Sequence, residues 1–240
     1  MRTIYKPQGK AREYAALALN LYSGCSHGCL YCYVPRLQRR TREEFMQSEC
    51  RWGVTTALAR EAIKHAGKSV LLCFSCDPYQ PDDVMYGLAR HAIQILHSHR
   101  VKVNVLTKAG MSSISDFDLL GRGDKYGASL TFNSDEDSIK WEPNAALPMS
   151  RINALQAAHN IGISTWASLE PVIEPAQSLT LILKAAPFVD EFKVGRWNHD
   201  PRAEEIDWRD FAQKAVALLK RLGKRYYVKK DLRRYLENEI

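Results

Sequence analysis

Three cysteines, Cys25, Cys29 and Cys32, lie within SGCSHGCLYCYVP at the spacing C-x3-C-x2-C. Gly24 and Gly28 let the backbone turn tightly there, including at positive φ, so three thiolates can gather around one centre. Thiolates are soft ligands and select zinc, copper(I) or iron–sulfur clusters. A four-iron cluster takes one ligand per iron, so three cysteines leave one iron open to chelate a substrate or cofactor. The spacing points to that arrangement. Other readings compete with it. A Cys3His zinc site could be completed by His27 or another histidine, but His27 sits inside the tight loop, where reaching the same ion as all three cysteines is awkward. A ferredoxin-like electron carrier lacks an obvious fourth cysteine in the local spacing. Purely structural thiols would not ordinarily sit in a Gly-rich polar loop.

The elements that must position this loop follow a strand-then-helix rhythm. Strands are expected at Leu17–Tyr22, Ser69–Ser75, Val101–Thr107, Tyr126–Phe132, Gly162–Leu169 and Phe188–Val194. Helical spacing is expected over Arg51–Ala66, Pro81–His99, Pro148–Asn160, Gln177–Ala186 and Asp207–Leu222. Ser115 is placed to cap a short helix across Asp116–Leu120. A short Tyr226–Val228 run and a helix over Asp231–Glu239 follow. Six β/α units imply an α/β fold of parallel strands covered by helices, either a partial barrel or an open doubly wound sheet. Directly after the six strands stand Cys25, Asp77, Lys108, Asn133, Glu170 and Arg196. Polar groups at strand C-terminal ends are how α/β barrels build active sites. Taken singly, such residues also sit there simply because strand ends are polar.

The chain has 240 residues, 45% of them hydrophobic, which is enough for one substantial core. A single domain over 1–240 is expected, with a barrel core at 16–200 and a basic helical extension at 201–240. No uncharged apolar run approaches the ~18 residues needed to span a bilayer. The stretch MRTIYKPQGKAREY is charged and has no signal-peptide core, so a cytoplasmic protein without membrane attachment is expected. Six cysteines are too few for a disulfide framework in a chain of this length. The net charge of +7 favours an anionic partner.

The cysteine segment resembles the signature of the radical S-adenosylmethionine superfamily, C-x3-C-x2-C with an aromatic before the last cysteine, here Tyr31. FSCDPYQP, VLTK, ASLTF, SLEPVIEP, KVGRWN and YYVKKDL add a resemblance to the spore photoproduct lyase-related branch. The resemblance implies a partial (β/α)6 TIM-type barrel of parallel strands. It also implies a [4Fe–4S] cluster on Cys25, Cys29 and Cys32 that binds S-adenosyl-L-methionine through the open iron. The cofactor would then be surrounded by Tyr31, Cys76, Asp77, Lys108 and Ser129.

The chemistry of those residues suits the assignment. Asp77 can accept hydrogen bonds from the amino group, and Lys108 can pair with the carboxylate. Ser129 and Thr131 share a sheet face by period two and offer hydroxyls. Glu170 could accept from ribose hydroxyls. The plainer alternatives are a solvated loop lysine for Lys108 and a helix-entry carboxylate for Glu170. Cys73 and Cys76 form C-x2-C, but on a strand they would point to opposite faces, which leaves Cys73 as a core side chain. Cys76, at the strand end, could return hydrogen to a product radical or simply line the cofactor pocket. The lyase donor cysteine stands three residues before the corresponding aspartate, and that position here is Phe74. Tyr31 and Tyr33 match paired tyrosines flanking the last cluster cysteine, which in the lyase support radical relay; packing over the cluster is the other reading. Cys50 has no inferred task.

Arg36, Arg39, Arg40 and Arg42 follow the cysteine loop, and Lys220, Arg221, Lys224, Arg225, Lys229, Lys230, Arg233 and Arg234 lie near the C-terminus among Tyr226, Tyr227 and Tyr235. Cations attract phosphates and aromatic faces stack on bases, so DNA or a nucleotide is the expected partner of this segment; a solvated helix face is the ordinary alternative. The sequence is thus read as an enzyme that cleaves S-adenosylmethionine reductively, forming a 5′-deoxyadenosyl radical that takes hydrogen from a nucleic-acid base or nucleotide. It would draw electrons from a flavodoxin- or ferredoxin-type donor. The alternatives are radical chemistry on a peptide or small metabolite, or a non-catalytic iron–sulfur or zinc module.

Overall fold

The computed structural model describes residues 3–237. In chain order its strands are β1 (Ala18–Leu19), β2 (Tyr22–Ser23), β3 (Glu49–Cys50), β4 (Ser69–Leu72), β5 (Lys102–Val105), β6 (Lys125–Ser129), β7 (Ser164–Leu169), β8 (Glu191–Val194) and β9 (Arg225–Val228). Seven of them form one parallel sheet in the order β1-β4-β5-β6-β7-β8-β9, and β2 pairs with β3 as a separate antiparallel ribbon. Strand order that follows chain order around a parallel sheet, with helices between strands, is the arrangement of a partial α/β barrel. The helices are α1 (Val34–Leu37), α2 (Arg42–Met46), α3 (Val54–Ala62), α4 (Asp83–Tyr86), α5 (Leu88–Ser98), α6 (Asp135–Trp141), α7 (Pro148–Asn160), α8 (Pro175–Ala185), α9 (Trp208–Arg221) and α10 (Lys230–Arg233).

Several expected boundaries move, each for a local reason. The run Leu17–Tyr22 divides, because only Ala18 and Leu19 pair with β4 while Tyr22 turns to Cys50. The strand expected over Ser69–Ser75 ends at Leu72, where Cys73 adopts φ +63°. Gly87, at φ +59°, divides Pro81–His99 into α4 and α5. Ser115 caps nothing: it lies inside a 3-10 turn over Gly110–Asp116. The expected terminal helix is confined to α10, and positions 238 and 239 of its range lie outside the described residues. Tyr226–Val228 falls within the seventh parallel strand, in register with Phe192–Val194. The sheet therefore continues past residue 200 through β9, with α9 before it and α10 after it in the chain.

Alternation sorts the strand residues into two cores. Tyr126, Ala128, Phe192 and Val194 face outward into the large apolar layer beneath the helices. Trp166, with Ala18 and Leu71, forms a small core inside the barrel. Gly127, in register with Trp166, makes room for it, since a Cβ there would lie 2.3 Å from the indole nitrogen. That nitrogen donates to the Val105 carbonyl at 3.0 Å.

The open side of the sheet, between β1 and β9, is bridged by the N-terminal segment. Tyr5 and Ala18 exchange both backbone hydrogen bonds at 2.8 and 2.9 Å. At the other edge Glu13 accepts from the Tyr227 hydroxyl and from the Lys230 amide, both at 2.9 Å. Between these anchors Tyr14 is inserted among Phe74, Trp166 and Ser168.

Candidate functional site

The cysteine loop leaves β1 at the C-terminal end of the sheet and is held by backbone and amide contacts throughout. Cys25 N–H donates to the Phe45 carbonyl at 2.8 Å, and Leu30 N–H to the Trp141 carbonyl at 2.8 Å. Ser26 N–H donates to the Gln80 side-chain oxygen at 2.8 Å. Asn144 caps the loop from the far side, donating to the carbonyls of His27 (3.2 Å) and Ser26 (2.9 Å). Gly24 and Gly28 have φ +95° and +66°, and Cβ atoms there would come within 2.5 Å of the Phe45 carbonyl and 2.8 Å of the Met46 methyl. Gly24 is thus required by conformation and by space, because it meets backbone, whereas Gly28 is favoured by its positive φ, the Met46 side chain being able to move.

Cys25, Cys29 and Cys32 are half-buried and unpaired as disulfides. The Cys29 thiol adds to the upward push on Cys25, and Cys32 adds to that on Cys29. Burial raises all three thiols, Cys25 well above its ordinary range and Cys29 to about 12, so loading any metal centre here displaces protons. Among the described residues no set of three or more His, Cys, Asp or Glu side chains converges closely enough to hold a metal ion. His27 does not complete a zinc set: it is buried with Nδ1 3.5 Å from an Asp77 oxygen. Burial lowers its pKa despite the pull of Asp77, so the imidazole is neutral near pH 7. Three soft donors without a fourth fit an iron–sulfur cluster better than a lone cation.

Asp77, Lys108, Tyr31, Ser129 and Thr131 are brought around this loop. Asp77 is buried, and its oxygens accept from the Thr107 hydroxyl (2.6 Å) and from the amides of Tyr79 (2.9 Å) and Lys108 (2.8 Å). It therefore ties the end of β4 to the end of β5 and sets the Lys108 backbone. The Lys108 ammonium lies over the Tyr31 ring, 5.7 Å from its centroid, and its charge reaches both Cys29 and Cys32. The Thr131 hydroxyl is 3.3 Å from the Tyr31 phenol oxygen. Ser129 shares the inward face with Gly127, and its carbonyl accepts from Arg151 at 3.0 Å.

Two groups near the loop were not anticipated. Glu142 and Arg151 form a fully buried ion pair at 2.5 Å. Tyr31 donates its hydroxyl to Glu142, while Arg151 also donates to the Ala146 carbonyl. Burial opposes the charge on Glu142, yet Arg151, Lys108 and the hydrogen bonds hold its pKa below the usual carboxylate range. Signals existed in part: Ser134 caps α6 and is followed by Asp135, Glu136 and Asp137, an N-terminal signature of the helix that delivers Glu142. Arg151 is hidden because nothing in a helix's sequence announces a buried arginine.

Glu170 stands at the end of β7 but inside the barrel, engaged by protein. It accepts from Tyr14 at 2.5 Å and from Lys229, and Lys229 lies over the Tyr14 ring, 3.3 Å from its centroid. Gly195 opposite must lack a side chain, since a Cβ would lie 2.7 Å from a Glu170 oxygen. Tyr33 lies toward the mouth and packs against His199, with centroids 5.1 Å apart; burial raises its phenol to about 12. Cys76 is half-buried. Because the strand stops at Leu72 and Cys73 is left-handed, the alternation that would have set Cys73 and Cys76 on opposite faces is broken, and Cys76 adds to the upward push that burial exerts on the Cys73 thiol.

The basic C-terminal run is divided by β9. Lys220, Arg221, Lys224 and Arg225 precede or open that strand at the base of the barrel, and Lys230, Arg233 and Arg234 follow it at the mouth. Lys229 belongs to neither surface, being buried against Glu170.

The architecture matches solved proteins. A spore photoproduct lyase variant with bound AdoMet and dinucleoside spore photoproduct superposes at TM-score 0.70 and 12% identity, covering 93% of this chain and 78% of that one. Streptococcus suis SuiB bound to S-adenosylmethionine superposes at TM-score 0.62 and 12% identity, covering 88% and 49%. The fold is shared. At such identities the likeness carries no more than that. By sequence, the chain is 24% identical over 185 residues to the uncharacterized protein MJ0683 of Methanocaldococcus jannaschii, covering 73% of this chain and 68% of that one. It is 27% identical over 172 residues to the uncharacterized protein ORF301 of Acidianus two-tailed virus, covering 66% and 56%. No family model matches the chain. Among the described residues no helix is long and apolar enough to cross a membrane.

Proposed function

We propose that this protein is a radical S-adenosylmethionine enzyme acting on a nucleic-acid base or nucleotide. The observation that carries the reading is the placement of three unpaired thiols, on a loop turned by two positive-φ glycines, at the C-terminal end of the first strand of a partial parallel barrel. Cys25, Cys29 and Cys32 would hold a [4Fe–4S] cluster, and Tyr31, Cys76, Asp77, Lys108, Ser129 and Thr131 would surround the cofactor. When bound, cluster and cofactor together supply a one-electron cleavage of the sulfonium and a 5′-deoxyadenosyl radical able to remove hydrogen from carbon. The chain's own residues orient and exclude. Lys108 offers a cation to a carboxylate, Thr131 offers a hydroxyl, and Asp77 fixes the Lys108 backbone while leaving His27 neutral. Glu170, held by Tyr14 and Lys229, is better suited to ordering the barrel interior than to accepting from a free ribose.

Support for a nucleic-acid substrate comes from the mouth. Tyr33 and His199 present a paired aromatic surface, with exposed Arg36, Arg39, Lys230 and Arg234 around the same end. Tyr33 and Cys76 are the candidates for returning hydrogen, and a flavodoxin- or ferredoxin-type protein is the expected electron donor. Anaerobic reconstitution tests the reading. It predicts four irons and four sulfides per chain, about, and 5′-deoxyadenosine on reduction with S-adenosylmethionine. With a deuterated oligonucleotide as substrate, deuterium should appear in 5′-deoxyadenosine. A colourless protein that takes up zinc and never cleaves the cofactor would overturn it.

A further inference from the structure

The base of the barrel, opposite the cysteine loop, holds a cavity of about 630 Å³. Its walls come from the starts of the strands: Ser69 opens β4, Lys125 opens β6 and Glu191 opens β8. Trp166 and Tyr14 close it above, and so separate it from the mouth. The volume is that of a small-molecule site, since such pockets span about 300–1,000 Å³.

The charges lining it are unbalanced. Lys6, Lys68, Lys125 and Lys193 face one carboxylate, Glu191. Glu191 is engaged by Lys125 at 3.0 Å. Lys193 meets no carboxylate at hydrogen-bonding distance: its ammonium donates to the carbonyls of Glu13 (3.1 Å) and Tyr14 (2.9 Å) and lies 5.2 Å from the Trp166 ring centroid. The Asn104 side-chain oxygen is buried at the same wall without a hydrogen-bond partner among the described residues. Around the cavity, Lys220, Arg221, Lys224 and Arg225 add positive charge to the same end of the barrel. Concave sites lined by one sign of charge concentrate ligands of the other. Four lysines line it beside His65, with no arginine, and lysine serves compact multiply charged anions as a point charge, without the planar fork with which arginine grips carboxylates. The indole of Trp166 and the small apolar side chains of Ala15 and Ala16 supply an uncharged wall beside them.

We infer that the base of the barrel binds a small phosphorylated molecule of about mononucleotide size, its phosphate held by Lys6, Lys68 and Lys193 and its uncharged part laid toward Trp166. The site is independent of the cysteine loop and of any chemistry there.

Calorimetric titration of the full-length chain with AMP, adenosine, inorganic phosphate and a single-stranded oligonucleotide tests this. AMP should bind with salt-dependent affinity, phosphate more weakly and adenosine not at all. The K6Q/K68Q variant, altered at two exposed lysines, should weaken AMP about tenfold or more. E191Q should tighten it, an effect that a merely damaged fold would not give. A Cys25→Ala variant should bind AMP as the parent does. No AMP binding at millimolar concentration, binding that is indifferent to K6Q/K68Q and E191Q, or lysine-dependent binding of the oligonucleotide alone would overturn the proposal.

Discussion

Glu142 and Arg151 meet at 2.5 Å with side chains 0% and 1% exposed, directly beneath the tyrosine that separates the second and third cysteines of the loop. Two opposite charges at such depth are stable only while each satisfies the other, because desolvation of a lone ion far outweighs what packing can return. Their partners make the pair a fastening. Arg151 reaches the end of β6 through the Ser129 carbonyl, and Glu142 reaches the loop through Tyr31.

Removing one member should therefore be much worse than removing both. Glu142→Ala should destabilise the fold by about 3–5 kcal/mol, measured by urea denaturation. Glu142→Leu combined with Arg151→Met should recover most of that loss. Equal destabilisation in the single and double variants would show that packing, not the stranded charge, dominates.

Asp77 gives a separable test of the proposed cofactor site. Its oxygens accept from Thr107, Tyr79 and Lys108, so Asp77→Asn places an amide donor where an acceptor is needed. In the cluster-loaded protein S-adenosylmethionine affinity should fall about tenfold, by equilibrium dialysis, with iron content unchanged. Loss of iron instead would assign Asp77 to holding the cysteine loop.

The strand-and-helix rhythm made the parallel sheet legible, and α7 starts at Pro148 and ends at Asn160 as its spacing predicts. The seventh strand was not legible as part of the sheet, because Arg225–Val228 is four residues of mixed polarity whose partner, β8, lies far back in the chain. The cysteine loop announced itself by spacing, since ligand geometry needs few residues close in sequence. Glu142, Arg151, Tyr14 and Lys229 could not be read in the same way. Each is polar, each is engaged by residues distant in the chain, and only the closed barrel brings Tyr14 onto Glu170. The expected opposition of Cys73 and Cys76 failed because one left-handed residue ends the alternation on which it rested.

The base of the barrel carries an acid-sensitive clasp. Asp124 accepts from Val103 N–H (2.7 Å) and Gly121 N–H (2.9 Å) and pairs with His97 at 3.0 Å. Burial favours its protonation, but His97 and the two amides outweigh it, and the folded-state pKa lies below the ordinary value. The unfolded chain thus takes up this proton first as pH falls. The clasp's stability is complete above the unfolded carboxylate range, near pH ~4, and is lost as pH falls through the depressed folded value. Stability curves of the parent should decline over that window. Asp124→Asn should be less stable at pH 7 by about 1–3 kcal/mol, and the gap should narrow on acidification.

Gly195 faces a Glu170 oxygen from the end of the neighbouring strand, with only 2.7 Å available to an added Cβ. Gly195→Ala must push Glu170 away from Tyr14 and Lys229. Overpacking of this kind costs about 1–3 kcal/mol, and here it also strands the buried Lys229 ammonium, whose pKa burial already lowers against the pull of Glu170. Thermal denaturation should show that loss at neutral pH. Adding Glu170→Gln to Gly195→Ala should cost less than the two single effects summed, because both act on the same carboxylate. Strict additivity would mean that Gly195 is constrained by something other than Glu170.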